Sequence, residues 1–238
     1  VYNHAKKQKG KHIHFYALYL CSMLPIKVQR LPLRIQKMIE QGEGQQLDFK
    51  KEISSETKIA KALVSFANTR GGTLLIGVND NRTVSGVRAD EELHLLLRAA
   101  TFFCKPVIEP EVKEYYLGKR SLLEIIVPEG KNKPYFALGD DNKWWAYIRV
   151  HDQSLLASKV VLDVLRKESA RQETIIKYSD NERMLLSYLE KNKRITLKEF
   201  CKLVNISRWR AQRILVNLIS IGVIRVHTTE KHDYYTQS

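Results

Sequence analysis

Several things are scarce in this 238-residue chain. Cysteine occurs three times, at Cys21, Cys104 and Cys201, far apart and with no C-x-x-C pair. That excludes a disulfide framework and points to free thiols in a reducing compartment. Eleven glycines and six prolines, without a repeat, exclude a collagen-like or low-complexity chain. No hydrophobic run is long enough to span a bilayer: Phe15–Ile26 is interrupted by Ser22 and Pro25, and no small-residue cleavage pattern follows it. A G-x-x-x-x-G-K-[ST] loop is absent, so no P-loop is expected and ATP is not predicted as a ligand. The expectation is a cytoplasmic protein with no membrane partner.

What is present is globular: 44% hydrophobic and 28% charged residues, enough chain for one large domain or two small ones. The formal net charge of +14 points toward a polyanionic partner, but it is unevenly spread. Residues 1–30 carry six Lys/Arg and no Asp/Glu, residues 31–176 carry 22 against 20, and residues 177–238 carry 12 against 6. The ends are basic and the middle is nearly neutral.

Periodicity divides the chain into a basic leader (1–31), a central domain (32–168), a polar linker (169–179) and a C-terminal domain (180–238). In the centre, a helix is expected over Pro32–Gln41 and a strand over Gln46–Ile53, where Leu47 and Phe49 alternate with Asp48 and Lys50. Ser54 and Ser55 offer N-cap chemistry for a helix carrying Ile59, Leu63, Val64 and Phe66. It ends before Gly71–Gly72, which read as a helix terminus and a tight entry to the buried strand Thr73–Val78. A helix follows over Asp90–Phe103, then a hairpin of Val112–Leu117 and Ser121–Val127. Trp145–Val150 alternates like a strand, with Trp144, Trp145, Tyr147 and Arg149 mixing aromatic and basic character, and Leu155–Leu165 reads as a helix.

The C-terminal segment reads as helix, helix, turn, helix, hairpin. Thr196 and Glu199 have capping-box spacing, and Ser207 caps a helix whose apolar stripe is Ala211, Ile214, Leu215 and Leu218. Trp209, Gln212 and Arg213 fall largely off that stripe, flanked by Arg208 and Arg210. Gly222 ends the helix, and Val223–His227 pairs with Tyr234–Thr236. The arrangement resembles a winged helix, whose third helix enters the major groove, where Arg reads guanine and Gln reads adenine. A winged helix used for protein contact or dimerisation is the alternative.

Three central motifs occur in order: Glu43-Gly-Gln-Gln-Leu-Asp-Phe-Lys50, the helix ending Phe66-Ala-Asn-Thr-Arg-Gly-Gly72, and Thr73-Leu-Leu-Ile-Gly-Val-Asn-Asp80. Together they resemble the Schlafen-type AlbA domain, and Lys133–Tyr135 and Trp145–Asp152 resemble bacterial members that continue into a winged helix. The resemblance implies an α+β fold, a mixed-sheet domain plus a small winged-helix domain, and nucleic-acid binding. Certain Schlafen relatives cut structured RNA with three carboxylates, which match Glu43, Asp48 and Asp80 here. Such a set would hold Mg²⁺ or Mn²⁺ to activate water, with Lys50 and Lys51 on the phosphate. Asp stands at position 48 where the family usually has Glu, and an acid beside a turn, as at Asp80, is commonly a turn former.

The reading taken is a DNA-binding transcriptional regulator that needs no cofactor, its contacts made by Arg208, Trp209, Arg210, Gln212 and Arg213. RNA is a possible second partner, and a homodimer is expected, suiting a palindromic site. The alternatives are a divalent-metal endoribonuclease using Glu43, Asp48 and Asp80, and a protein-interaction module of a defence or stress system.

Overall fold

In a computed structural model the described residues are 26–28, 31–170 and 179–238. Most of the leader and of the linker therefore lies outside them, as do Cys21 and the Phe15–Pro25 stretch.

The centre of the molecule is a five-stranded mixed sheet built from β1 (Ile26–Val28), β2 (Leu47–Lys50), β3 (Gly72–Ile76), β5 (Glu111–Leu117) and β6 (Arg120–Val127), in the order β1-β5-β6-β3-β2. β5, β6 and β3 are antiparallel neighbours, while β2 joins β3 and β1 joins β5 in parallel. Part of the expected leader thus contributes a strand to the sheet.

Alternation along the strands creates two cores. Leu47, Phe49, Leu75 and Leu122 face α1 (Leu33–Gln41) and meet its Ile35 and Ile39. Leu74, Ile76, Leu123 and Ile125 point the other way, against α2 (Glu56–Ala67) and α3 (Ala89–Phe102). The N-terminus of α2 is capped by the Ser55 hydroxyl, which accepts from the Lys58 N–H. At its far end Asn68, 2% exposed, donates from Nδ2 to the carbonyls of Tyr135 and Tyr147 and accepts from the Tyr135 N–H. One side chain thereby ties the helix end to two later segments.

Gly71 has φ of +69°, and a Cβ at Gly72 would lie 2.3 Å from the Phe66 ring, so both glycines are accounted for by turn geometry and packing. A small sheet of β4 (Cys104–Lys105), β7 (Phe136–Leu138) and β8 (Trp144–Trp145) and a hairpin of β9 (Tyr147–Val150) and β10 (Gln153–Leu156) cover the α2 side. Leu155 and Leu156, expected to start a helix, instead end β10. The helix α4 (Lys159–Ser169) begins after Ser158, whose hydroxyl accepts from the Val161 N–H.

The C-terminal part is α5 (Asp180–Lys191), α6 (Leu197–Leu203), α7 (Arg208–Ser220) and the hairpin β11 (Ile224–His227)–β12 (Tyr234–Gln237), with an Ile195–Tyr235 bridge beside it. Thr196 and Glu199 form the expected capping box, and Ser207 caps α7. Helix α4 serves both halves. Val161 and Leu165 pack with Ala146 and Ala157, whereas Val160 and Val164 belong to the C-terminal core with Leu215 and Val216. The apolar division of the molecule therefore runs along α4 rather than after it.

Candidate nucleic-acid interface

Of the three matched carboxylates, two are neighbours. Asp48 is 3% exposed on β2 and points away from the Leu47 and Phe49 face. Its Oδ1 lies 3.1 Å from Arg149 Nη2 and its Oδ2 2.7 Å from Lys50 Nζ. Arg149, on β9, is equally buried: it donates to the carbonyls of Gly44 and Leu47 and stacks 5.0 Å from the Phe66 ring centroid. Glu43 accepts from the Phe49 N–H at 2.8 Å. Burial raises the Glu43 carboxyl above its ordinary range and the neighbouring Asp48 adds to this, against the pull of the Phe49 N–H and Lys50.

Asp80 does not join them. It is exposed in the turn beyond β3, which is closed by the Asn79 N–H to the Thr83 carbonyl at 2.9 Å, whereas Asp48 sits opposite Leu74 in mid-strand. Among the described residues no group of three or more His, Cys, Asp or Glu side chains gathers as a metal site. Both oxygens of Asp48 already carry cationic partners, so a divalent ion would have to displace a buried guanidinium. The residues present do not fit Mg²⁺ or Mn²⁺, and the Arg149 guanidinium holds the charge position instead. Lys50 is correspondingly engaged with Asp48, while Lys51 is exposed. Arg149, placed by alternation on a mixed aromatic and basic strand, faces inward.

The first two turns of α7 present a different picture. Arg208, Trp209, Arg210 and Arg213 are all exposed, Trp209 by 65%. The Arg213 guanidinium lies 4.7 Å from the Trp209 ring centroid, a cation–π contact that orders both side chains. Arg34, Arg88, Arg98, Arg149, Arg166 and Arg183 each pair with a carboxylate. Arg208, Arg210 and Arg213 form no ion pair with any described residue, so their charge faces solvent.

Gln212 is half-buried. With Arg208 it lines a cleft of about 820 Å³ between the start of α4 and the 229–233 turn of the β11–β12 hairpin. The Ser158 hydroxyl donates to Asp233 across one end of that cleft. Farther along α7, Val216 is buried in the core that holds Val160 and Val164, and Lys167 Nζ donates to Asn217 Oδ1 at 2.6 Å. Helix α4 therefore lies along the second half of α7 and leaves the arginine-bearing turns open.

Among the described residues no helix is long and apolar enough to cross a membrane. Residues 43–158 match the family model described as Schlafen, AlbA_2, and residues 167–234 match that of the PCI domain. The first match ends just before α4 and the second begins in its last turn, at residue 167. No curated protein matches the chain. Among solved structures, the DIP2311 protein from Corynebacterium diphtheriae is similar at 16% identity and a TM-score of 0.42, over 57% of this chain and 31% of that one. The chain thus matches about a third of DIP2311. The N-terminal domain of a RecG-related protein from Nitrosomonas europaea is similar at 19% identity and a TM-score of 0.37, over 60% of this chain and 94% of that one. Residues 43–158, just under half of the chain, thus match as a Schlafen AlbA_2 domain, which points to a nucleic-acid-related function.

Proposed function

We propose that this protein binds duplex DNA through the first two turns of α7, as a regulator of transcription. The observation that carries this reading is the cluster of Arg208, Arg210 and Arg213, solvent-facing and without carboxylate partners beside the exposed Trp209. Three guanidiniums on one helix end suit phosphate contact and bidentate reading of guanine. The hairpin β11–β12 flanks the helix as the wing of a winged helix does, with Arg225 exposed on it. Gln212 lies toward the cleft, so the reading assigns base contact first to the arginines and Trp209. A homodimer on a palindromic site belongs to the same reading, each copy presenting one α7.

The test is fluorescence anisotropy with duplex DNA across a salt series, on the full chain. Replacing Arg208, Arg210 and Arg213 together by Ala should weaken binding and flatten the log–log salt slope by roughly 0.9 for each of the three that contacts a phosphate, about 2.7 at most. An unchanged affinity and slope would remove α7 from the interface.

A further inference from the structure

A second surface combines aromatic rings with lysines, on the small sheet rather than on α7. Strand β8 lies at the edge of the β4-β7-β8 sheet and consists of two tryptophans, Trp144 and Trp145, 41% and 36% exposed. Large rings left open at a sheet edge need a reason, because pairing or covering is the usual remedy.

Trp145 is open yet held. Its Nε1 donates to both carboxylate oxygens of Asp141, at 3.1 and 3.2 Å, and the indole lies so close to Gly139 that a Cβ there would sit 3.1 Å from the ring. The turn beneath is closed by two hydrogen bonds, from the Asn142 N–H to the Gly139 carbonyl and from the Gly139 N–H to the Lys143 carbonyl. The polar atom of the indole is satisfied internally, so what remains to offer a ligand is ring surface.

Tyr147, two residues on, shares the face of Trp145, and Lys61 places its ammonium 4.9 Å from the Tyr147 ring centroid. Trp145, Tyr147, Lys58 and Lys61 help bound a cavity of about 380 Å³, large enough for a nucleobase with its sugar. On the opposite face of the sheet, reached across β7, the pairing repeats: the Lys105 ammonium is 6.0 Å from the Trp144 ring centroid. Lys58 and Lys61 share the cavity lining with Asp140 and Asp141, and Asp141 is already committed to Trp145 and, at 3.8 Å, to Lys143.

We propose that this edge is a second nucleic-acid site, specific for unpaired nucleotides, with bases stacking on Trp144, Trp145 and Tyr147 and phosphates meeting Lys61 and Lys105. Rings alternating with cations match the alternation of base and phosphate along a single strand. A duplex hides its base faces and cannot use such rings, so the site is separate from the α7 reading and does not depend on it.

The experiment uses the full chain, with labelled dT and rU 12-mers and a duplex of equal length, read by anisotropy. Trp144→Ala with Trp145→Ala, which removes two stacking rings, should weaken single-strand binding by roughly thirtyfold or more and leave duplex binding unchanged. Lys61→Glu with Lys105→Glu should do the same without removing a ring, which covers the case in which the tryptophan variant misfolds. The α7 triple variant should show the opposite pattern. Two outcomes would overturn the proposal: no single-strand binding by the wild-type chain at low salt, or single-strand affinity unmoved in both edge variants. In either case, duplex binding that still depends on α7 would leave the first reading intact.

Discussion

Replacing Asp48 by Asn tests whether the conspicuous carboxylate of the central domain is structural. The change leaves the Arg149 guanidinium, 3% exposed, with two backbone carbonyls and no counter-charge on Oδ1. The direct attraction across 3.1 Å amounts to about 5 kcal/mol at an effective dielectric near 20. Removing one member of a buried pair costs about 3–5 kcal/mol in practice. Glu43, already adjacent, loses the repulsion of Asp48 that helps to raise its carboxyl, which offsets part of the cost. The lower end, about 3 kcal/mol, is therefore expected. With a urea m-value of about 2 kcal/mol per molar, the midpoint at pH 7 should fall by about 1.5 M. Arg149→Met alone leaves Asp48 its Lys50 partner, on a side chain that is 42% exposed, and should cost less. The double variant should be more stable than the two single costs added together, by about 2 kcal/mol, because it leaves no orphaned charge. Circular dichroism through a urea titration of the four proteins measures all of this. A cost below about 1 kcal/mol for Asp48→Asn, or strict additivity, would refute the clamp. Asp80→Ala is the control: an exposed turn position should stay within about 0.5 kcal/mol.

Two further outcomes follow from the same packing. Burial raises the Glu124 carboxyl, but hydrogen bonds from Arg34 at 2.6 Å and Tyr115 at 2.7 Å outweigh it and leave the group below its ordinary range. Its contribution to stability is therefore present above the unfolded value near 4.5 and lost as pH falls through the lower folded value. Arg34→Met should cost about 2 kcal/mol at pH 7 and should blunt the loss of stability as pH falls below about 4.5, because the Glu124 carboxyl is then held less far below its ordinary range, as read from urea midpoints. Gly72→Ala should cost about 1–3 kcal/mol through overpacking against Phe66, with Gly44→Ala, which meets nothing within 4 Å, nearly neutral in the same thermal melt.

Local chemistry made much of this legible. The capping box of Thr196 and Glu199, the Ser207 cap and the stripe from Ala211 to Leu218 are short-range signals, and the structure follows them. The alternation around Asp48 likewise put it off the Leu47 and Phe49 face. Its partners were not legible, because Arg149 lies 101 residues away and nothing in Tyr147–Val150 marks which side chain turns inward. Arg34 and Glu124, 90 residues apart, are hidden for the same reason. Helix α4 starts later than its apolar spacing predicts, because Leu155 and Leu156 extend that spacing backwards into β10 while Ser158 supplies the cap. Adjacent valines at 160 and 161, followed by Val164 and Leu165, are the trace in sequence of a helix with two apolar stripes.

That two-sided helix has a thermodynamic consequence. Because α4 contributes Val160 and Val164 to one core and Val161 and Leu165 to the other, neither core can open without stripping a face from the helix. Free energy supplied at one end is thereby shared with the other. A ligand gripping α7 alone, at a hundred times its dissociation constant, would add about 2.7 kcal/mol, and part of it would appear as slower amide exchange in the hairpin β9–β10, on the far side of α4.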